Sequence, residues 1–308
     1  MHRTIEITVP AGSTSWLSQE LEQMEHVIGL AVLKGASIKP PGDVVVVHAL
    51  NRGVDEVLRC ADAARGRGAI SIVTSEVASI IDPRRQDALD DDVDEAIWEE
   101  VETGLRHQGR VGANYLALMA LGGAIAAVGL VSESVPQAIA FVASAVIAPG
   151  FEPLAKIPLG LALGRWNVVR RGLISVGVGY AMLVAGAALM FLALRLGGAA
   201  TVGDLVSNPE VHAIEHPSMK ELLVSACAAV AGMVMVLAFR GSVIAGPLIA
   251  LILIPAAALI GAALAAGRPG LAYQGLERLL IDAALIVGLG ALVVLLKQTT
   301  VHRRQPLV

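Results

Sequence analysis

Apolar positions alternate along the first eighty residues and then, beyond residue 111, merge into long runs. Residues 4–9, 27–33, 43–49 and 69–77 carry the short, alternating or β-branched patterns expected of strands. After the first of these, Ser15 is placed to cap a helix that aligns Leu17, Leu21 and Met24. Pro40-Pro41-Gly42 separates the second and third strands. Asn51 then precedes a helix with Val54, Val57, Leu58 and Ala61 on one face, ended by Gly66 and Gly68. The order β-α-β-β-α-β predicts a ferredoxin-like split βαβ domain over residues 1–82. Such a domain serves many functions. A packing or dimerisation role is favoured over ligand sensing.

Residues 83–111 form a linker whose acidic run, DALDDDVDEAIWEEVETG, occupies 87–104. Leu89, Val93, Ile97, Val101 and Leu105 recur every fourth residue, with Trp98 beside them, which predicts one charged helix with a narrow apolar stripe. It is too acidic for a lipid-surface helix and is expected to lie against its own protein. Six apolar runs follow, at 112–131, 136–164, 173–194, 221–239, 243–266 and 276–296, each close to the length of a membrane crossing. A polar loop, 197–217, separates the third from the fourth. The expected architecture is an α-helical polytopic membrane bundle over 112–296, preceded by the α/β domain and followed by a short tail at 297–308.

Composition agrees with that division. With 55% hydrophobic and 16% charged residues and a mean hydropathy of +0.69, the chain is not an ordinary soluble globule. The net charge of -4, and the lack of a basic tract interleaved with aromatics, exclude nucleic acid as an expected partner. Cys60 and Cys227 fall in different parts of the chain, so neither a disulfide framework nor a cysteine metal site is expected. No signal-peptide-like apolar run opens the chain, which places the first domain in the cytoplasm. With that start, one side of the membrane collects Arg106, Arg110, Lys156, Arg165, Arg170, Arg171, Arg240, Lys297, Arg303 and Arg304. The other keeps Arg195, Lys220, Arg268 and Arg278. Both termini are therefore expected inside the plasma (inner) membrane. A re-entrant second element would flip every later segment unless another also failed to cross.

That second element is the most unusual stretch. Within residues 133–164, Pro149, Gly150 and Pro153 interrupt an apolar run, and Glu152 stands between them. Proline lacks an amide hydrogen and restricts the residue before it, so a helix must stop, kink or unwind there. Unwound backbone at membrane depth needs cover from protein or a wet cavity. The fifth element carries Gly246-Pro247 and Pro255, and Leu253-Ile254-Pro255 echoes Ile147-Ala148-Pro149. Each is the middle member of three spans. Two triplets with broken central elements predict an inverted-repeat transporter.

At these breaks the chain resembles the prokaryotic membrane proteins of domain of unknown function 389. The run AFVASAVIAPGFEPL at 140–154 is similar to the family's IIGAMLIAPLMGPI pattern, with Ala148-Pro149 and Pro153 matching. The stretch 241–261 resembles GVAIAVALVPPLAVAG, with Pro255 on the first proline and Ala256 in place of the second. The resemblance covers about 112–296. Glu152 stands where the family pattern has Gly, and Asp282 where it implies Asn. Losing the second proline implies a less disrupted fifth element.

Candidate chemistry centres on Glu152. A buried acid in a membrane span is costly unless used, paired or protonated. Ser144 and the carbonyls freed around Pro149, Gly150 and Pro153 could join it in binding a cation or proton, with Pro255 and Asp282 completing the site. The bland reading is an interfacial Glu152–Lys156 pair of small worth. Asp282 is weighed likewise, as a bundle residue against one shallow in the outer leaflet. His212, Glu215 and His216 fit the spacing of an inverted zincin, but Pro209 and Pro217 leave room only for a short capping helix and no third ligand is evident except Glu210. No metal and no cofactor are expected. His48 is expected as a packed or surface residue, and Ser13, Ser15 and Ser18 lack a base. Small-residue spacing at Gly122 and Ala126, and at Gly172, Gly177 and Gly179, suits close helix contacts, within the chain or in a homo-oligomer.

The expected function is a transporter or channel for a small solute or ion, not an enzyme, with the lipid bilayer as its surroundings. The alternative is a membrane sensor or scaffold whose N-terminal domain binds a ligand or mediates assembly.

Overall fold

The computed structural model describes residues 2–93, 95–238 and 242–307. The side chains of Gln108 and of residues 242–251 lie outside that set, as do Arg240 and the expected end of the fourth span at Phe239. The chain divides into two compact units, residues 1–99 with 298–308, and residues 100–297.

The first unit contains β1 (His2–Val9), α1 (Ala11–Glu22), β2 (Val27–Ile38), β3 (Pro41–Ala49), α2 (Val54–Ala63) and β4 (Ser71–Val77). All neighbouring strands are antiparallel, in the order β2-β3-β1-β4. This is the split arrangement expected from the element order. Its core forms because the alternation is strict: Ile5, Ile7 and Val9 of β1, and Val45 and Val47 of β3, face Leu17 and Leu21 of α1 and Val57 and Leu58 of α2. Each such side chain contributes roughly 1.5–3 kcal/mol by leaving water.

Local details depart from the sequence reading. α1 begins at Ala11, so Ser15 lies inside it and Met24 beyond it. Pro10, fixed near φ -57, sets the helix start, and its carbonyl accepts from Ser13 N–H at 2.8 Å. β2 continues past Leu33 to Ile38 because a register shift between Leu33 and Ser37 lets the hairpin keep pairing. Gly35 takes φ +61 there and donates its N–H to Asp43 Oδ1 at 2.7 Å. Asp43 Oδ2 accepts from Thr14 Oγ1 at 2.7 Å, which fastens α1 to the hairpin.

The acidic stretch is not one helix. It forms α3 (Gln86–Asp90) and α4 (Trp98–Gln108), with residues 91–93 and 95–97 outside any helix. Tertiary contacts override the fourfold pattern: Asp92 accepts from Asn51 N–H at 2.6 Å and meets His2 Nδ1 at 3.1 Å. Asn51 Nδ2 in turn donates to the carbonyls of Val93 and Glu95. Leu89, Ile97, Val101 and Leu105 are buried as the stripe implied, whereas Val93 is exposed.

The tail also belongs to this unit. Arg304 donates to both oxygens of Glu99, at 2.7 and 2.6 Å, and to Asp55 Oδ1 at 2.5 Å. Asp55 Oδ2 meets His302 Nδ1 at 2.9 Å, and the His302 ring packs edge-on to Trp98.

The second unit is helical: α5 (Ala113–Leu130), α6 (Ser134–Ile147), α7 (Phe151–Ala162), α8 (Trp166–Leu196), α9 (Val202–Val206), α10 (Pro209–Glu215), α11 (Met219–Leu237), α12 (Ser242–Ala265) and α13 (Pro269–Thr300). Among the described residues four helices, α5, α8, α11 and α13, are long and apolar enough to cross a membrane. The pair α6–α7, bent by 53°, makes up to five. At about 1.5 Å per residue α12 also has the length of a span. α12 packs against α5, α6, α7, α8 and α11. Its approach to α8 is close enough that a Cβ on Gly261 would collide with the Val184 carbonyl.

The expected break at Pro255 is absent, because α12 runs through it as one helix. A lone proline removes one backbone bond, which a packed span tolerates. Among the described residues, only the second element is discontinuous.

The tail contact yields a testable expectation. Burial opposes charge on Asp55 and Glu99, but hydrogen bonds and attraction from His302 and Arg304 to Asp55, and from Arg304 to Glu99, prevail and hold both carboxyls below their ordinary range. Their contribution to stability is therefore intact above about pH 4 and is lost as pH falls through the lowered values. Arg304→Ala should cost about 2–3 kcal/mol at neutral pH. Thermal unfolding of the full chain in detergent should show that deficit at pH 7 and a smaller one in acid.

Candidate functional site

The break begins where Pro149 forces Ala148 into an extended conformation (φ -87, ψ 120) and ends α6 at Ile147. Pro149 has no N–H to return to Ala145, and Gly150 N–H turns to the Ala148 carbonyl at 2.8 Å. The last carbonyls of α6 thus lose their usual helical donors. α7 restarts at Phe151 with Glu152 in its first turn, where the helix dipole favours a carboxylate. Pro153, also in that turn, sits where a helix needs no internal N–H donor.

Protein closes around this point. Tyr180 of α8 donates its hydroxyl to the Gly150 carbonyl at 3.1 Å. A Cβ on Gly150 would lie 3.8 Å from Ile254 Cγ1, the residue before Pro255 in α12. The two proline-bearing elements therefore meet, although only one is broken. Gly122 of α5 has no side chain to separate it from Ala148. Gly172 of α8 does the same for Pro153 and Lys156, so these small residues serve contacts within the chain.

Glu152 is 8% exposed, and its Oε2 is buried without a hydrogen-bond partner. The ion pair with Lys156, the alternative to a site at Glu152, is not formed. Lys156 is itself buried and donates Nζ to the Gly109 carbonyl at 2.7 Å. It stays within electrostatic reach of Glu152. Ser144 is fully buried but donates its hydroxyl to Phe141 O of its own helix, at 2.8 Å.

Asp282 is 1% exposed and lies within the bundle. Its Oδ2 accepts from Arg278 Nε at 2.9 Å, and Arg278 Nη2 donates to Ser225 Oγ of α11 at 3.1 Å. Asp282 Oδ1 and Arg278 Nη1 are buried without partners. Both Glu152 and Asp282 lie within electrostatic reach of the Tyr180 hydroxyl. The structure thus groups Glu152, Gly150, Tyr180 and the Pro255 region, with Asp282 at one flank. A cavity of about 390 Å³ beside this group is lined by Pro255, Ser225 and Arg278 and does not include Pro149, Glu152 or Asp282 in its lining.

Sequence reasoning missed Tyr180, Ser225 and Arg278. Arg278 carried a usable signal: it stands four residues before Asp282 in an apolar span, the spacing of a helical ion pair. Tyr180 had none beyond its rarity.

The inverted-zincin spacing has no matching geometry. His216 lies past the end of α10, at φ -131, so it does not share a helical face with His212. Glu215 instead meets His212 Nδ1 at 3.0 Å.

An α/β domain joined to long apolar helices, one of them broken around a buried acid, defines a polytopic helical membrane protein. Residues 145–288 match the family described as Domain of unknown function (DUF389), as the two proline motifs implied. The matched region contains the break, Pro255 and Asp282. No curated protein and no solved structure gives a significant match to the chain.

Tyr180→Phe should leave the Gly150 carbonyl without its side-chain donor. The expected loss is about 1–2 kcal/mol, read as a lower unfolding midpoint in detergent. An unchanged midpoint would remove Tyr180 from the account of the break.

Proposed function

We propose that the protein moves a small cation or protons across a membrane, with the α6–α7 break as the binding point. The observation that carries this reading is the buried Glu152, whose Oε2 has no hydrogen-bond partner, in the first turn after the break at Pro149. Discontinuous helices whose freed carbonyls and dipole ends face an ion are the usual construction of such sites. A Glu there supplies the charge that neutral carbonyls lack. Tyr180 holds the unwound backbone in place, and α12 forms the opposite wall.

Ser144, Pro149, Pro153, Pro255 and Asp282 have supporting roles in this proposal. The prolines maintain the break and its wall. Asp282, already engaged by Arg278, sets the local field. The excess of Arg and Lys on one set of loops supports an inner-membrane protein with both termini in the cytoplasm.

The test is flux in sealed vesicles containing the purified protein, with imposed gradients of protons, Na⁺ and K⁺. At least one should move faster than in protein-free vesicles, and Glu152→Gln should slow it by about tenfold or more, the scale of about 1.4 kcal/mol. Equal flux in the variant, or no flux above the protein-free background for all three, would overturn the proposal.

A further inference from the structure

The 390 Å³ cavity beside α11 and α13 is distinct from the break and carries its own chemistry. Arg278 forms part of its lining and is 8% exposed. Its Nε is taken by Asp282 and its Nη2 by Ser225, which leaves Nη1 buried and unpaired. Guanidinium groups bind carboxylates through parallel N–H donors, so a lining arginine with an unpaired donor suits an anionic group. The remaining charged lining argues against an anion alone. Glu210 and Glu221 face the same space, and Lys220 brings the cavity wall to two positive and two negative side chains. Burial and the neighbouring Glu221 raise the Glu210 carboxyl above its ordinary range, while Arg278 pulls it the other way. A ligand ammonium would relieve that strain between acids. The rest of the wall is aliphatic, with Ile214, Val224, Ile252 and Pro255. Its volume falls at the small end of ligand pockets.

We infer that this cavity binds a small zwitterion, an amino acid or betaine with a short aliphatic body. Its carboxylate meets Arg278 and Ser225, and its ammonium meets Glu210 and Glu221. The inference holds whether or not ions pass the break, because it concerns binding at a separate wall. Its failure and the failure of ion flux are therefore distinguishable.

The experiment is calorimetric titration of the full-length protein in detergent with glycine, L-proline, L-leucine and glycine betaine. Acetate and ethylamine serve as half-ligands. At least one zwitterion should bind about tenfold or more tightly than either half-ligand. Arg278→Lys should weaken that zwitterion by about tenfold, because a single ammonium cannot reproduce the guanidinium's donors to Asp282, Ser225 and the ligand together. Glu210→Gln, at the mouth of the cavity and away from the buried pair, should reduce the preference for zwitterion over acetate by about fivefold or more. If Arg278→Lys fails to fold, Ser225→Ala takes its place and should weaken the same ligand. Absence of binding by all four zwitterions overturns the inference. So does acetate or ethylamine binding as tightly as the best zwitterion, or affinity untouched by the variants.

Discussion

A proline in the middle of an apolar span is the constraint on which the helical unit depends. Pro149 denies Ala145 a donor and pushes Ala148 out of the helical region. Unsatisfied backbone in hydrocarbon costs several kcal/mol per group, so such a break persists only if other elements cover it. The cover is visible in the packing. Tyr180 reaches the Gly150 carbonyl, α12 lies against the break at Ile254, and α5 closes on Ala148 through Gly122. The bend of 53° between α6 and α7 is thus held by three neighbouring helices.

Much of this organisation was legible because it follows from length and periodicity. Strand alternation in 4–9 and 43–49 corresponds to buried Ile5, Ile7, Val45 and Val47, and the apolar runs correspond to helices. What escaped was set by tertiary contact. The acidic stretch had a convincing fourfold stripe, yet Asp92 and Asn51 hold its middle against the sheet domain. The helices α8 and α13 extend well past their apolar windows, since charge ends a hydropathy run without ending a helix. Pro255 resembled Pro149 as a residue, but α12 continues through it and through Gly246-Pro247 as one helix.

The candidate site was legible in part for the same reason. Prolines and acids in an apolar background are conspicuous, which pointed to Glu152 and Asp282. Their partners were less so. Arg278 was assigned to a loop side by the count of basic residues, whereas it is buried four residues from Asp282. Opposite charges one helical turn apart share the cost of burial, so the pair should be read as one unit and not as two flanking residues. Tyr180 acts through a hydroxyl on a backbone carbonyl, a contact that no pattern in its own helix encodes.

Glu152 is the place where the energetics leave something to be supplied. The N-terminal end of α7 favours its charge by about 0.3–1 kcal/mol, rising to about 2 in a buried setting. Removing a carboxylate from water costs several kcal/mol even after relaxation. Lys156 contributes attraction without closing the pair, since its ammonium is bonded to Gly109. The dipole alone falls short of that cost, and the nearby Lys156 ammonium is already engaged. A proton on the carboxylate, or a cation shared with the carbonyls left open by Pro149, closes the difference. That unmet cost is the physical reason the proposed function places a proton or a cation at this carboxylate and not at Asp282, whose charge Arg278 already meets.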